Sequence, residues 1–149
     1  MTEVPHTYAE WVNITDKLKS RTNDEEILNA MKQGTIEWQT GVAERFLKKL
    51  ADVINSRMNM ASDKFQKTIS RPNTEEREIV QALLALRKEM AFLADAVDLP
   101  ALPENERSQY KQLVISQACK MQSSLEESAR KDRSGKLLTI VRNHKVNKF

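Results

Sequence analysis

The most constraining feature of the sequence is a run of large apolar residues between Glu76 and Pro100. Their spacing alternates between four and three positions, which is the pattern of a helix with one continuous apolar seam. The seam consists of Ile79, Leu83, Leu86, Met90, Leu93 and Val97. Further apolar residues widen this stripe on one flank, and a stripe so broad needs neighbouring helices on two sides. The segment is therefore predicted to be the central helix of a helical bundle.

The composition agrees with this fold class. Glycine occurs only 3 times in 149 residues and aromatic residues make up 5% of the chain, whereas residues that favour helices are plentiful. A chain of this length fits one domain whose core needs neither disulfides nor a metal. We predict an all-α protein, a single bundle of about five helices that includes one long helix of about 30 to 35 residues.

Two short helices are expected at the start of the chain. The capping-box sequence T-x-x-E begins at Thr7 and again at Thr22, and each copy marks a helix start. The first helix should run from about Tyr8 to about Arg21. The second should stop at Gly34, where glycine can take the left-handed conformation that commonly ends a helix.

Three longer helices should follow. One is predicted from Thr35 to about Ser70, because no proline interrupts its helical pattern. Gly41 is its weak point and marks either a bend or a break. Pro72 ends this helix, and Asn73 is expected to cap the next one, which carries the seam. Pro103 suits the first turn of the fifth helix.

The last residues have a different pattern. After Gly135 comes a short apolar run rich in β-branched residues, which predicts a short helix, an extended strap over the bundle, or a strand that pairs with another chain. Its large apolar side chains are expected to dock on the bundle or on a partner chain: Leu137, Leu138, Ile140 and Val141. We therefore predict a bundle domain over residues 1–135 and a basic tail over 136–149, with Arg142 to Phe149 as its exposed end.

Positive charge is concentrated at the same end of the chain. Residues 130–149 carry seven basic residues against one acidic residue, Asp132, which gives +6; residues 1–129 then carry −3, because the whole chain carries +3. The basic residues are Arg130, Lys131, Arg133, Lys136, Arg142, Lys145 and Lys148. They are predicted to contact an acidic protein partner or the phosphate backbone of a nucleic acid. Attachment to a membrane surface is a third role considered for this segment, although the apolar run is too short to anchor the chain alone.

Residues suited to catalysis or metal binding are few. His6 and His144 lie near the ends of the chain, and Cys119 is the only cysteine. A catalytic pair of Cys119 and His144 is one alternative, but a small thiol buried on a helix is the commoner outcome. The sequence has no metal-binding motif and no glycine-rich phosphate loop. We expect no enzymatic activity, no metal, no cofactor and no small-molecule substrate.

These features favour an adaptor or regulator that acts through helix-face binding and the basic tail. The alternative is a nucleic-acid-associated dimeric regulator that contacts the phosphate backbone. That alternative gains support if the tail forms one continuous basic face with other cations, namely Lys48, Lys49, Arg57 and Lys64. The surplus of apolar helix face in the seam and in the long helix predicts a homodimer.

The sequence also bears on location. The N-terminal residues have neither the basic nor the apolar region of a signal peptide, and no apolar run approaches the ~20 residues that cross a bilayer. With a single cysteine the chain can form no internal disulfide, so nothing indicates an oxidising compartment. The expectation is a cytoplasmic protein without a transmembrane segment.

Overall fold

The computed structural model describes residues 2–20, 23–39 and 41–148. Every regular element in these residues is a helix, so the predicted all-α class is confirmed. The helices are α1 (Tyr8–Lys19), α2 (Asp24–Gln33), α3 (Val42–Ile69), α4 (Glu76–Val97), α5 (Glu104–Ala129) and α6 (Lys136–Asn143). Five helices thus precede a short terminal helix, which is one of the three forms considered for the apolar run after Gly135.

The chain divides into two compact units. Unit 1 comprises residues 1–57 and 94–112, and unit 2 comprises residues 58–93 and 113–149. The units carry opposite charge: 13 acidic and 10 basic side chains give unit 1 a net charge of −3, whereas 8 acidic and 14 basic side chains give unit 2 a net charge of +6. Since residues 130–149 alone carry +6, the rest of unit 2 is neutral.

The first helix begins as predicted. The Thr7 hydroxyl accepts the Glu10 N–H at 3.2 Å, and the Glu10 carboxylate accepts the Thr7 N–H at 3.1 Å, so the capping box is complete. The second predicted box falls on Thr22, which lies outside the described residues. Asn23 takes the N-cap position of α2 without a side-chain hydrogen bond to the helix.

Gly34 follows α2 in a different conformation from the predicted one. Its φ is −68°, so the expected left-handed conformation is wrong. A Cβ atom at this position would lie 2.6 Å from Cζ2 of Trp11 and 2.9 Å from Pro5. Glycine is required here because Trp11 and Pro5 leave no room for a side chain.

Two helix boundaries also differ from the predicted ones. Gly41 has a φ of +88°, which a right-handed helix does not accommodate, so α3 begins at Val42 and has 28 residues. Asn73 does not cap α4: it has a φ of +61° and lies in the preceding turn, a conformation that asparagine tolerates better than most residues. The helix begins three residues later, at Glu76.

The predicted seam of α4 is buried within the single chain. Ile79 is half-buried, and the other five seam residues are buried: Leu83, Leu86, Met90, Leu93 and Val97. Because one chain already covers these side chains, they are core residues. They leave no exposed seam for a second copy.

Unit 1 contains a buried charge. Arg57 is 0% exposed, and its guanidinium donates to both carboxylate oxygens of Asp24, at 3.0 and 2.7 Å, and to the carbonyl oxygen of Leu18 at 3.0 Å. These bonds join α3 to the end of α1 and to the first residue of α2. Arg57 therefore holds three helices together and contributes nothing to a basic surface.

Replacing Asp24 tests this contact. Asp24→Asn should lower the free energy of unfolding by about 2 to 3 kcal/mol, because it removes the carboxylate from a buried guanidinium. The matched control is Asp16→Asn, which breaks the exposed Lys49–Asp16 pair of 2.9 Å and should cost less than about 1 kcal/mol. Urea denaturation measures both variants, and equal losses would contradict a structural role for the buried pair.

Candidate functional site

The candidate site is the segment of residues 130–148, called here the basic segment. All seven of its predicted contact residues are exposed. They lie on the turn after α5, on α6 and on the residues that follow α6: Arg130, Lys131, Arg133, Lys136, Arg142, Lys145 and Lys148. Only Arg142 among them forms an ion pair within the described part of the chain. Six cations are thus available to an anionic ligand without first giving up an ion pair.

The turn that leads into α6 is organised by Asp132. Its carboxylate accepts hydrogen bonds from the Ser134 hydroxyl at 2.8 Å, the Leu137 N–H at 3.1 Å and the Ser134 N–H at 3.3 Å. These hydrogen bonds, the one from the Ser134 side chain above all, hold the pKa of Asp132 below its ordinary value. The only acidic residue of the segment therefore stays ionised and serves to start the helix.

The apolar side of α6 packs into the core of unit 2. Ile140 and Val141 are buried, and so is Val146 beyond the end of the helix. Leu137 and Leu138 are half-buried against the same cluster. The cluster also contains Phe65, Leu83, Leu86, Leu125 and Ala129. All four predicted docking residues thus lie against the core, and the cations of the segment lie in solvent.

One polar residue of α5 fixes the end of the segment. The Gln122 side chain is buried, with 4% of its surface exposed. It donates to the Val141 carbonyl oxygen at 3.3 Å and accepts the Val146 N–H at 3.0 Å. A buried amide must find partners for both its donor and its acceptor, and here both come from the backbone of the basic segment.

The sequence pattern did not assign this role to Gln122. A polar side chain on a helix is ordinarily expected at the surface, whereas Gln122 is buried. The buried residues of α5 are Val114, Ala118, Gln122, Leu125 and Ala129. Their spacing of 4, 4, 3 and 4 is that of a seam, so a polar residue inside an otherwise apolar seam was the available signal.

An ion pair lies one turn further along α5. Arg142 Nε donates to Glu126 Oε1 at 3.3 Å, and the two side chains are 52% and 25% exposed. Residues four apart on a helix share a face, so Gln122 and Glu126 meet the basic segment from the same side of α5. Gln122 forms hydrogen bonds to backbone groups of the segment, and Glu126 pairs with the Arg142 side chain.

The residues considered for catalysis are not joined to each other. Cys119 is exposed, so the expectation of a buried thiol is wrong. The neighbouring Ala118 is the residue that faces the core. Cys119 Sγ lies 3.6 Å from Asn147 Nδ2. His144 Nδ1 lies 3.0 Å from the Ile140 carbonyl oxygen. Within residues 2–20, 23–39 and 41–148, no three or more His, Cys, Asp or Glu side chains are grouped as metal ligands.

Comparisons with protein-family models, with curated proteins and with solved structures find no match to this chain. In the described residues, no helix combines the length and the apolar character needed to cross a membrane.

Removing the Gln122 amide should loosen this attachment. Gln122→Leu leaves the Val146 N–H and the Val141 carbonyl oxygen without their partner, and the expected loss in the free energy of unfolding is about 2 kcal/mol. Gln112→Leu is the control, because Gln112 lies on the same helix and is exposed; it should change that free energy by less than about 0.5 kcal/mol.

Urea denaturation and the rate of tryptic cleavage after Arg142 and Lys145 measure the effect. Cleavage should be faster in Gln122→Leu alone. Equal stability and equal cleavage in the two variants would mean that Gln122 does not hold the segment.

Proposed function

We propose that this chain is a non-enzymatic helical interaction protein, an adaptor or a regulator, whose basic segment binds an acidic segment of a protein partner. The observation that carries the proposal is the exposure of all seven cations on a segment whose apolar side chains are packed into unit 2. A folded cationic surface of this kind attracts an acidic chain at long range and loses little conformational freedom when it binds.

The charges elsewhere in the chain favour a protein partner over a nucleic acid. Of the four other cations considered with the tail, Arg57 is buried against Asp24 and Lys49 pairs with Asp16, whereas Lys48 and Lys64 are exposed. Unit 1 carries −3 in total, so it does not extend the basic surface that a long nucleic acid would need. Phe149 is the only Phe, Tyr or Trp among residues 130–149, so the tail offers no platform of several rings on which successive bases could stack.

The ion pair of Arg142 supports the same partner class. Its guanidinium is already bound by a carboxylate, that of Glu126, within the chain. A partner's Asp or Glu can make the same contact without any new type of interaction. A short acidic segment therefore matches the site in charge and in chemistry.

The homodimer expected from the sequence stays a prediction. A second copy would have to meet side chains other than the buried seam of α4. Among the described residues of unit 2, the exposed large apolar side chains are Met60, Leu84 and Leu113. Light scattering decides the matter: a monomer mass at every concentration would rule the dimer out.

Binding of a labelled oligo-glutamate peptide tests the proposed function. Fluorescence anisotropy should show binding at low ionic strength that weakens at about 0.15 M salt, since exposed charges are screened there. The combined variant Lys131→Gln, Arg133→Gln and Lys136→Gln should lower the affinity about tenfold. The control neutralises three other exposed lysines, Lys48, Lys64 and Lys67, and should change the affinity less than about twofold.

A labelled duplex DNA of random sequence is the second probe in the same assay. Tighter binding to the duplex than to the peptide, lost in the same triple variant, would replace the proposal with the nucleic-acid alternative. An absence of binding to both probes would refute a role for the basic segment in binding anions.

A further inference from the structure

We infer that Glu126 is a built-in competitor of the acidic partner: it occupies Arg142, and the partner must displace it to use that cation. This inference rests on the proposed function, because it concerns the regulation of the same segment. It assigns to one glutamate of α5 the role of weakening the binding of every acidic ligand that engages Arg142.

The first support is that Arg142 differs from the other cations of the basic segment. Its Nε lies 3.3 Å from Glu126 Oε1, whereas the other six cations have no ion pair within the described residues. An internal carboxylate and a partner's carboxylate compete for the same guanidinium. Arg142 is therefore the one contact whose use by a partner costs an existing ion pair.

The second support is that the exchange needs little movement. The backbone on both sides of Arg142 is held, since Gln122 bonds the Val141 carbonyl oxygen and the Val146 N–H. Ile140 and Val141 are buried. A partner can thus take the place of the Glu126 carboxylate by side-chain rotation alone, while α6 stays docked.

The third support is the exposure of the pair. The Arg142 side chain is 52% exposed and the Glu126 side chain 25%, and a single hydrogen bond joins them. Exposed pairs of this kind are weak, so the internal carboxylate can be displaced by a ligand that carries several charges. Glu126 consequently lowers the affinity for an acidic ligand modestly and does not prevent binding.

The test compares two neighbouring glutamates. Glu126→Gln and Glu127→Gln change the net charge equally, but Glu127 is exposed and forms no ion pair within the described residues. Each variant is titrated with the labelled oligo-glutamate peptide at low ionic strength. Glu126→Gln should bind about two- to fivefold more tightly than Glu127→Gln, because it alone frees Arg142.

The same two variants in an Arg142→Gln background test whether the effect of Glu126 on affinity acts through Arg142. There the difference between Glu126→Gln and Glu127→Gln should vanish, since no guanidinium is left to be freed. The Arg142 Nε–H resonance gives a direct readout: it should shift when Glu126 is replaced and shift again when peptide is added.

The results distinguish the competitor role of Glu126 from the proposed function of the basic segment. Equal affinities of the two glutamate variants, with clear binding by the wild-type protein, would overturn the competitor role and leave the proposed function in place. A difference that persists without Arg142 would also overturn it. Failure of the wild-type protein to bind the peptide would overturn the proposed function and this inference with it.

Discussion

The arrangement of the basic segment depends on the two hydrogen bonds of one buried amide. Gln122 satisfies its donor with the Val141 carbonyl oxygen and its acceptor with the Val146 N–H. These bonds cross the end of α6, so the chain after the helix is held against α5 and Val146 can enter the core. Because a buried amide without partners is costly, Gln122 favours this one path of the backbone over others.

Fixing that path separates apolar and charged side chains. Ile140, Val141 and Val146 face the core of unit 2, and the cations between and around them face solvent. Cations that lie on a folded surface repel each other, and in the described part of the chain only Arg142 is neutralised by an ion pair, with Glu126. Under the proposed function, an acidic ligand would relieve this repulsion, and the ordered backbone would reduce the entropy lost on binding.

Local sequence patterns predicted several features that local physics controls, although the Gly34 conformation and the Asn73 cap were wrong. The Thr7 capping box and the buried seam of α4 follow from residue spacing alone. Gln122 and Arg57 did not follow, because their burial depends on partners far along the chain: Val141 and Val146 for the amide, and Asp24 for the guanidinium. A polar residue counts as a surface residue in any local pattern, and only the tertiary fold supplies the partners that allow it to be buried.

Residue-resolved amide hydrogen exchange on the intact protein tests most directly whether the basic segment is folded. If Gln122 holds the segment, the Val146 amide, which donates to the Gln122 side chain, should exchange as slowly as those in the buried face of α5. Exchange throughout residues 136–146 at the rate of an unstructured chain, with α5 still protected, would contradict the account. The segment would then be a flexible basic extension, and neither Gln122 nor Glu126 would have the role described for it.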